Sequence, residues 1–118
     1  MGFKASHRYA RISARKVRPL ADMVRGKFAD EALSILRFQP QRGARLLEKV
    51  IKSALGNAQD PEQHRDQTVE VNTLVVSDAR VDGGPMTKRI RPRARGMAFV
   101  IKKRTSHIHV ELQELKEM

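Results

Sequence analysis

From Gly83 to Val110 the chain runs for 28 residues with eight Lys and Arg side chains and no Asp or Glu. A segment of one charge sign repels itself, and it cannot be packed into an apolar core without partners for its charges. It must therefore lie on a surface or project from one, and it is stable only where a polyanion neutralises it. Phosphate backbones do this, with release of counterions.

The sequences on either side define the shape of that projection. From Thr68 to Asp82 the chain alternates with period two: Val69, Val71, Val75, Ala79 and Val81 share one phase, and Glu70, Asn72, Asp78 and Arg80 the other. A second alternating stretch begins near Met97 and ends in Ile108, Val110 and Leu112, interleaved with His107, His109 and Glu111. Two strands in this order predict an antiparallel pair. Asp82-Gly83-Gly84-Pro85 would be enough for the turn, yet twelve more residues follow before the return strand is plainly apolar. Lys88, Arg89, Arg91, Arg93 and Arg95 dominate them, so the ribbon is expected to extend beyond the body, with bends at Pro92 and Gly96. The guanidinium fork meets phosphate in two hydrogen bonds and stacks on exposed bases, which explains a tip with four arginines to one lysine.

The N-terminal part supplies the rest of a body. Residues 3 to 12, with Tyr9 and Ile12 among basic and small residues, read as an extended segment. Ser13 is placed to cap a helix with Val17, Leu20, Ala21 and Val24 on its apolar face and Gly26 as its stop. Pro19 means that this helix is either kinked or starts later than Ser13. A short second helix has Asp30 and Glu31 in its first turn and Ala32, Leu33 and Leu36 on one side, and ends before Pro40. A third spans roughly Gln41 to Gln59, with Ala44, Leu47, Ile51, Ala54 and Ala58 on one face. Arg42, Arg45, Lys49 and Lys52 lie opposite, where solvent and RNA are equally good partners. Residues 60 to 67 read as a polar loop.

Length limits all of this to a single domain, residues 1 to 118, with 83 to 104 as an extended hairpin arm. The expected fold is α+β: a compact body of three helices packed on a small antiparallel sheet, with a long protruding basic β-hairpin. Only five residues are aromatic and none is Trp, so the core must be aliphatic. The same scarcity argues against a base-stacking sheet of the RRM or OB type. The net charge of +11 is carried by the two ends of the fold: residues 1 to 21 hold six cations and no acid, residues 83 to 110 eight, and the remainder is close to balance. The chain has no cysteine, no stretch approaching a membrane span and no signal-like apolar run at its start. A cytoplasmic protein without metal or other cofactor is expected. His107 and His109 share a strand face but lack further ligands, Gly83-Gly84 lacks the context of a phosphate loop, and no nucleophile–base spacing stands out, so the chain is not expected to be an enzyme. An architectural DNA-binding protein with basic ribbon arms is the rival reading. Such proteins usually dimerise through a large apolar face, whereas the stripes here suffice for one monomeric core.

Gly84-Pro85, Lys88-Arg89-Ile90, Pro92-Arg93-Ala94-Arg95-Gly96 and Lys102-Lys103-Arg104-Thr105-Ser106-His107-Ile108 together resemble the L twenty-two family of bacterial large-subunit ribosomal proteins. Ile12 with Ser13-Ala14-Arg15-Lys16-Val17-Arg18, Val24-Arg25-Gly26-Lys27 and Ala32-Leu33-Ser34-Ile35-Leu36 extend the resemblance over roughly residues 4 to 112. It implies a monomeric structural constituent of the large subunit in the cytoplasm, which binds large-subunit (23S-type) rRNA early in assembly beside neighbouring ribosomal proteins. It also implies a body near the mouth of the polypeptide exit tunnel and a hairpin along the tunnel wall. The tip facing the nascent polypeptide would be Lys88, Arg89, Ile90, Arg91, Pro92, Arg93, Ala94, Arg95 and Gly96. Charge and resemblance together make Lys4, His7, Arg8, Arg11, Arg15, Lys16, Arg18, Arg25 and Lys27 candidates for rRNA contact. Lys88, Arg89, Arg91, Arg93, Arg95, Lys102, Lys103, Arg104, Ser106 and His107 complete the set. Two positions depart from the family pattern: Pro19 stands where an aliphatic residue is usual, and Met97 to Val100 is more apolar than usual.

Overall fold

The computed structural model describes residues 2–59, 73–92 and 94–115. In chain order these form β1 (Gly2–Ala10), α1 (Ala14–Val24), α2 (Ala29–Arg37), α3 (Arg42–Gln59), β2 (Leu74–Pro92), a 3-10 turn (Ala94–Gly96) and β3 (Ala98–Glu114). The strands form one antiparallel sheet in the order β1-β3-β2, so the last strand lies in the middle. The three helices bury their apolar stripes against the sheet, as an α+β fold requires.

The core is aliphatic. Its largest fully enclosed side chains are Leu36, Leu47, Ile51, Leu74, Ile108 and Leu112, and Phe3 is its one buried aromatic among the described residues. In α1 the buried positions are Val17, Leu20, Ala21 and Val24, spaced by three and four as one helical face demands. The helix starts at Ala14 and runs through Pro19, which rules out a later start. Pro19 has no N–H to give to the carbonyl four residues back, and its ring sits on the exposed side, where the crowding is least damaging. Ser13 occupies the N-cap position with extended backbone angles, but its hydroxyl makes no capping bond; its carbonyl accepts from the N–H of Lys16 instead (3.1 Å).

α3 lies close against α1 because Gly43 has no side chain. A Cβ there would stand 3.2 Å from both Leu20 Cδ1 and Val17 Cγ2. Gly43→Val should force these helices apart and lower unfolding stability by roughly 1–3 kcal/mol, the usual effect of overpacking; a denaturant titration with unchanged slope would measure it. Equal stability would mean that the crossing is looser than the geometry shows.

One feature of β2 differs from the sequence expectation. The alternation places Val75 inside with Ala79 and Val81, but the pairing shifts between Val76 and Asp78. Val76 faces Leu112 and Ala79 faces Val110, with Ser77 as the extra residue, so Leu74 and Val76 join the core cluster while Val75 lies outside it. One inserted residue reverses the faces of everything before it. Val75 is buried nonetheless, and the α1–α2 connection extends the sheet beside it: Phe28 bridges Val75, and Val76 exchanges 2.8 Å backbone bonds with Gly26 and Lys27. Residues 68–72, which the same reading placed in the strand, and the loop at 60–67 lie outside the described residues.

At Asp82–Pro85 the chain does not turn, as expected of a ribbon that extends beyond the body. Gly83 pairs with Ser106 and Met86 with Arg104, so Gly84 and Pro85 together oppose Thr105 in a bulge. Pro85 cannot donate to a ladder, and the bulge is a place where no donation is required. The Thr105 hydroxyl donates to the Pro85 carbonyl (2.6 Å) and ties the two legs together. Pairing then continues to Pro92 opposite Ala98. Nine residues beyond Gly83 at about 3.3 Å each carry the hairpin roughly 30 Å past the last core pair. The molecule accordingly measures 67 × 28 × 19 Å, with a radius of gyration of 17.6 Å, against about 13–14 Å for a compact chain of this length.

Candidate nucleic-acid interface

The end of β1, the start of α1 and the first residues of α3 form one wall of a cleft, and the near half of the hairpin forms the other. Arg11, Arg15, Lys16 and Arg42 line it from the body; Arg89, Lys102, Lys103 and Arg104 line it from the hairpin. Its volume is about 1490 Å³, and no carboxylate among the described residues lines it. Eight cations therefore face one space from two sides. Arg11, Arg15, Lys16, Arg42, Lys102, Lys103 and Arg104 are all exposed, so no folding requirement consumes their charge. Such a cavity focuses positive potential on whatever enters it and favours a polyanion over any neutral ligand.

The remaining candidates are distributed differently. Lys4 and Arg8 are exposed on β1, and Lys88, Arg91 and Arg95 on the outer hairpin, while Arg93 lies outside the described residues. Lys27 is exposed beside the backbone exchange with Val76. His7 pairs with Ile108 and is half-buried. Arg18 and Arg25 use part of their guanidinium forks on the fold: Arg18 Nε donates to the Val81 carbonyl (3.1 Å), and Arg25 donates to the Ala79 carbonyl while pairing with Asp22 at 2.8 Å. Each fastens α1 to β2, so these two residues serve the fold before any ligand.

Ser106 stands apart from the exposed candidates. Its side chain is fully enclosed and its hydroxyl finds no partner among the described residues, because it shares the phase of Ile108 and Val110 on the core face of β3. The hydroxyl thus faces the core and not the surface that carries the exposed cations. His107 lies on the opposite face, where its Nδ1 accepts the backbone N–H of Tyr9 (3.0 Å). Tyr9 stands in a bulge between His7 and Ala10 with φ of 59°, a conformation that costs a non-glycine residue on the order of 1–3 kcal/mol. The bond to His107, an edge contact between the two rings (centroids 4.8 Å apart) and the Arg8 guanidinium 5.4 Å from the Tyr9 ring hold it there.

The cations of α3 divide into two groups. Arg45 pairs with Glu48 at 3.0 Å and Lys52 stands 4.0 Å from the same carboxylate, so part of their charge is met on the helix, while Lys49 is exposed to solvent. Arg42 faces the cleft, and sequence reasoning left it out of the site because periodicity shows which face of a helix is polar but not what stands opposite. The hairpin also exposes apolar side chains, Met86, Ile90, Met97, Phe99 and Val100. Ile90 pairs with Val100, and Arg91 with Phe99, so apolar and cationic groups alternate along the ribbon.

Residues 5–113 match the protein family described as Ribosomal protein L22p/L17e. The chain belongs to this family. It is 65% identical over 116 residues to the large ribosomal subunit protein uL22 of Rhodopirellula baltica, with 98% of each chain covered. It is 52% identical over 110 residues to the uL22 protein of Caldicellulosiruptor saccharolyticus, covering 93% of this chain and 86% of that one. The uL22 protein of Desulfotalea psychrophila is 50% identical over 114 residues, covering 97% and 99%. The family expected from the hairpin and helix-one motifs is thus the family found. Its similarity covers the hairpin and both walls of the cleft, so the cation-lined space belongs to the part of the chain that is shared.

Proposed function

We propose that this large-subunit ribosomal protein binds large-subunit rRNA through the cleft between body and hairpin, supports subunit assembly, and lines the exit tunnel with the hairpin tip. The observation that carries the reading is the convergence of eight cations, with no carboxylate among the described residues, on one space from the body and the hairpin. Phosphate contacts of this kind position a protein without reading sequence, so the shape of folded rRNA rather than a base motif selects the site. The purified chain should bind large-subunit rRNA in the presence of excess duplex DNA. Equal competition by duplex DNA would favour an architectural DNA-binding protein instead.

The tip has a different task from the cleft. Arg91, Arg93 and Arg95 lie in the segment that would border the nascent chain, where planar guanidinium contacts with phosphates and bases matter more than net charge. Replacing all three by lysine should leave subunit yield near normal and alter translation arrest by tunnel-sensing peptides. Normal arrest with defective assembly would reverse the roles given to tip and body.

A further inference from the structure

Phe38 is the most exposed large hydrophobic side chain among the described residues, at 83%. It ends α2 at a corner that α3 holds firmly. The Arg45 guanidinium donates to the carbonyls of Leu36, Arg37 (3.1 Å) and Gln39 (2.6 Å), and its other arm pairs with Glu48. These bonds satisfy the carbonyls that a helix end leaves without donors, and Pro40 restricts the chain beyond them. The ring is thus presented on a rigid mount, so a partner would have little conformational freedom to freeze.

The surroundings decide what that partner is. From Ala32 to Leu47 the chain holds Arg37, Arg42 and Arg45 and no acid. Arg37 and Arg42 are exposed on either side of the ring in sequence, and Gln41, Arg42 and Gly43 form part of the cleft wall. An apolar pocket on another protein would have to accept these cations along with the ring. A nucleotide accepts both, since its base offers a π-face and its phosphate a charge.

We propose that Phe38 is a stacking platform for an unpaired base of large-subunit rRNA, with Arg37 and Arg42 holding the adjacent phosphates at the outer edge of the cleft. The proposal rests on the rRNA-binding reading and adds a contact of another kind. A phenyl ring has no hydrogen-bonding group, so it tolerates any base and contributes affinity without sequence choice.

Phe38→Ala, Phe38→Leu and Phe38→Trp in the full chain test this, with affinity for large-subunit rRNA measured across a salt series and base reactivity probed on the bound RNA. Phe38→Ala should weaken binding about 5- to 150-fold, the range of one base stacked on an aromatic ring, with an unchanged salt slope because no charge is lost. Phe38→Trp should bind like the parent, and Phe38→Leu should remain near the alanine variant. One or a few unpaired bases protected by the parent and the Trp variant should become reactive with Ala. The ring is exposed, so all three variants should unfold at the parent's temperature. Parental affinity and protections in both Ala and Leu variants would overturn the proposal. So would full rescue by leucine, or normal binding to free rRNA with loss only from assembled subunits, since both place the ring against protein. Failure of the parent chain itself to bind rRNA would overturn the rRNA reading and not merely its extension to Phe38.

Discussion

Glutamine at Arg11, Arg15, Lys16, Lys102, Lys103 and Arg104 together should reduce the salt slope of rRNA binding by roughly 4 to 5 units, since each phosphate contact contributes about 0.7–0.9. At physiological salt the affinity should fall by about a thousandfold or more. All six side chains are exposed, so the variant should fold as the parent does. The two walls can be separated. Substituting only the three body residues, or only the three hairpin residues, should remove about half of the slope in each case if one RNA segment occupies the cleft. A body-wall variant with the full loss and a hairpin variant with none would show that the hairpin's cations face something else.

Excision of the hairpin should abolish most rRNA affinity while sparing the fold. The pairing register determines the cut: β3 residues 98–104 lie opposite β2 residues 86–92, so removing one leg alone would leave the other unpaired. Joining Gly83 to Ser106 through Asn-Gly replaces residues 84–105 with a two-residue turn directly beyond a paired position. None of the described residues in that span is buried, so thermal unfolding should stay cooperative. Scattering should show a radius of gyration falling from 17.6 Å to near 13 Å, the value for a compact chain of the shortened length. Loss of the folded state would mean that the hairpin, not the helix-covered sheet, holds the core together.

How far each element could be read in advance depends on how its signal is encoded. α3 was legible almost to the residue, because its apolar stripe recurs at the 3.6-residue helical period along an 18-residue helix, so a single misplaced residue cannot hide it. The inner half of β2 was less so. Period-two alternation has no redundancy, and the extra residue at Ser77 moved Val75 out of the core cluster and Val76 into it. The Gly83-Gly84-Pro85 sequence carries the local chemistry of a turn, but long-range pairing with β3 converts it into a bulge. Ser106 lies in a run of cations and histidines and so invites a binding role, although its phase with Ile108 already placed it inside.

The candidate site divides in the same way. Its charges were visible one by one, because an acid-free run is a property of sequence alone. Their convergence was not, since it depends on the hairpin standing over the start of α1 and bringing Lys102–Arg104 to face Arg11–Lys16 across one cavity. Arg42 joins them through the position of α3 against α1, which Gly43 permits. Phe38 gave no sequence signal beyond being aromatic; its exposure follows from the Arg45 bonds that fix the corner.

The natural sequence contains no cysteine, so a single introduced thiol gives a unique attachment point for a hydroxyl-radical source. Ser13→Cys marks the body wall of the cleft and Thr87→Cys the hairpin wall. With each derivatised chain incorporated into large subunits, strand scission of the rRNA should occur at discrete nucleotides, and the two sets should overlap because both probes face the same segment. Discrete, overlapping cuts are the result expected of RNA held between body and hairpin. No cleavage from either position, or two sets without a common nucleotide, would contradict it.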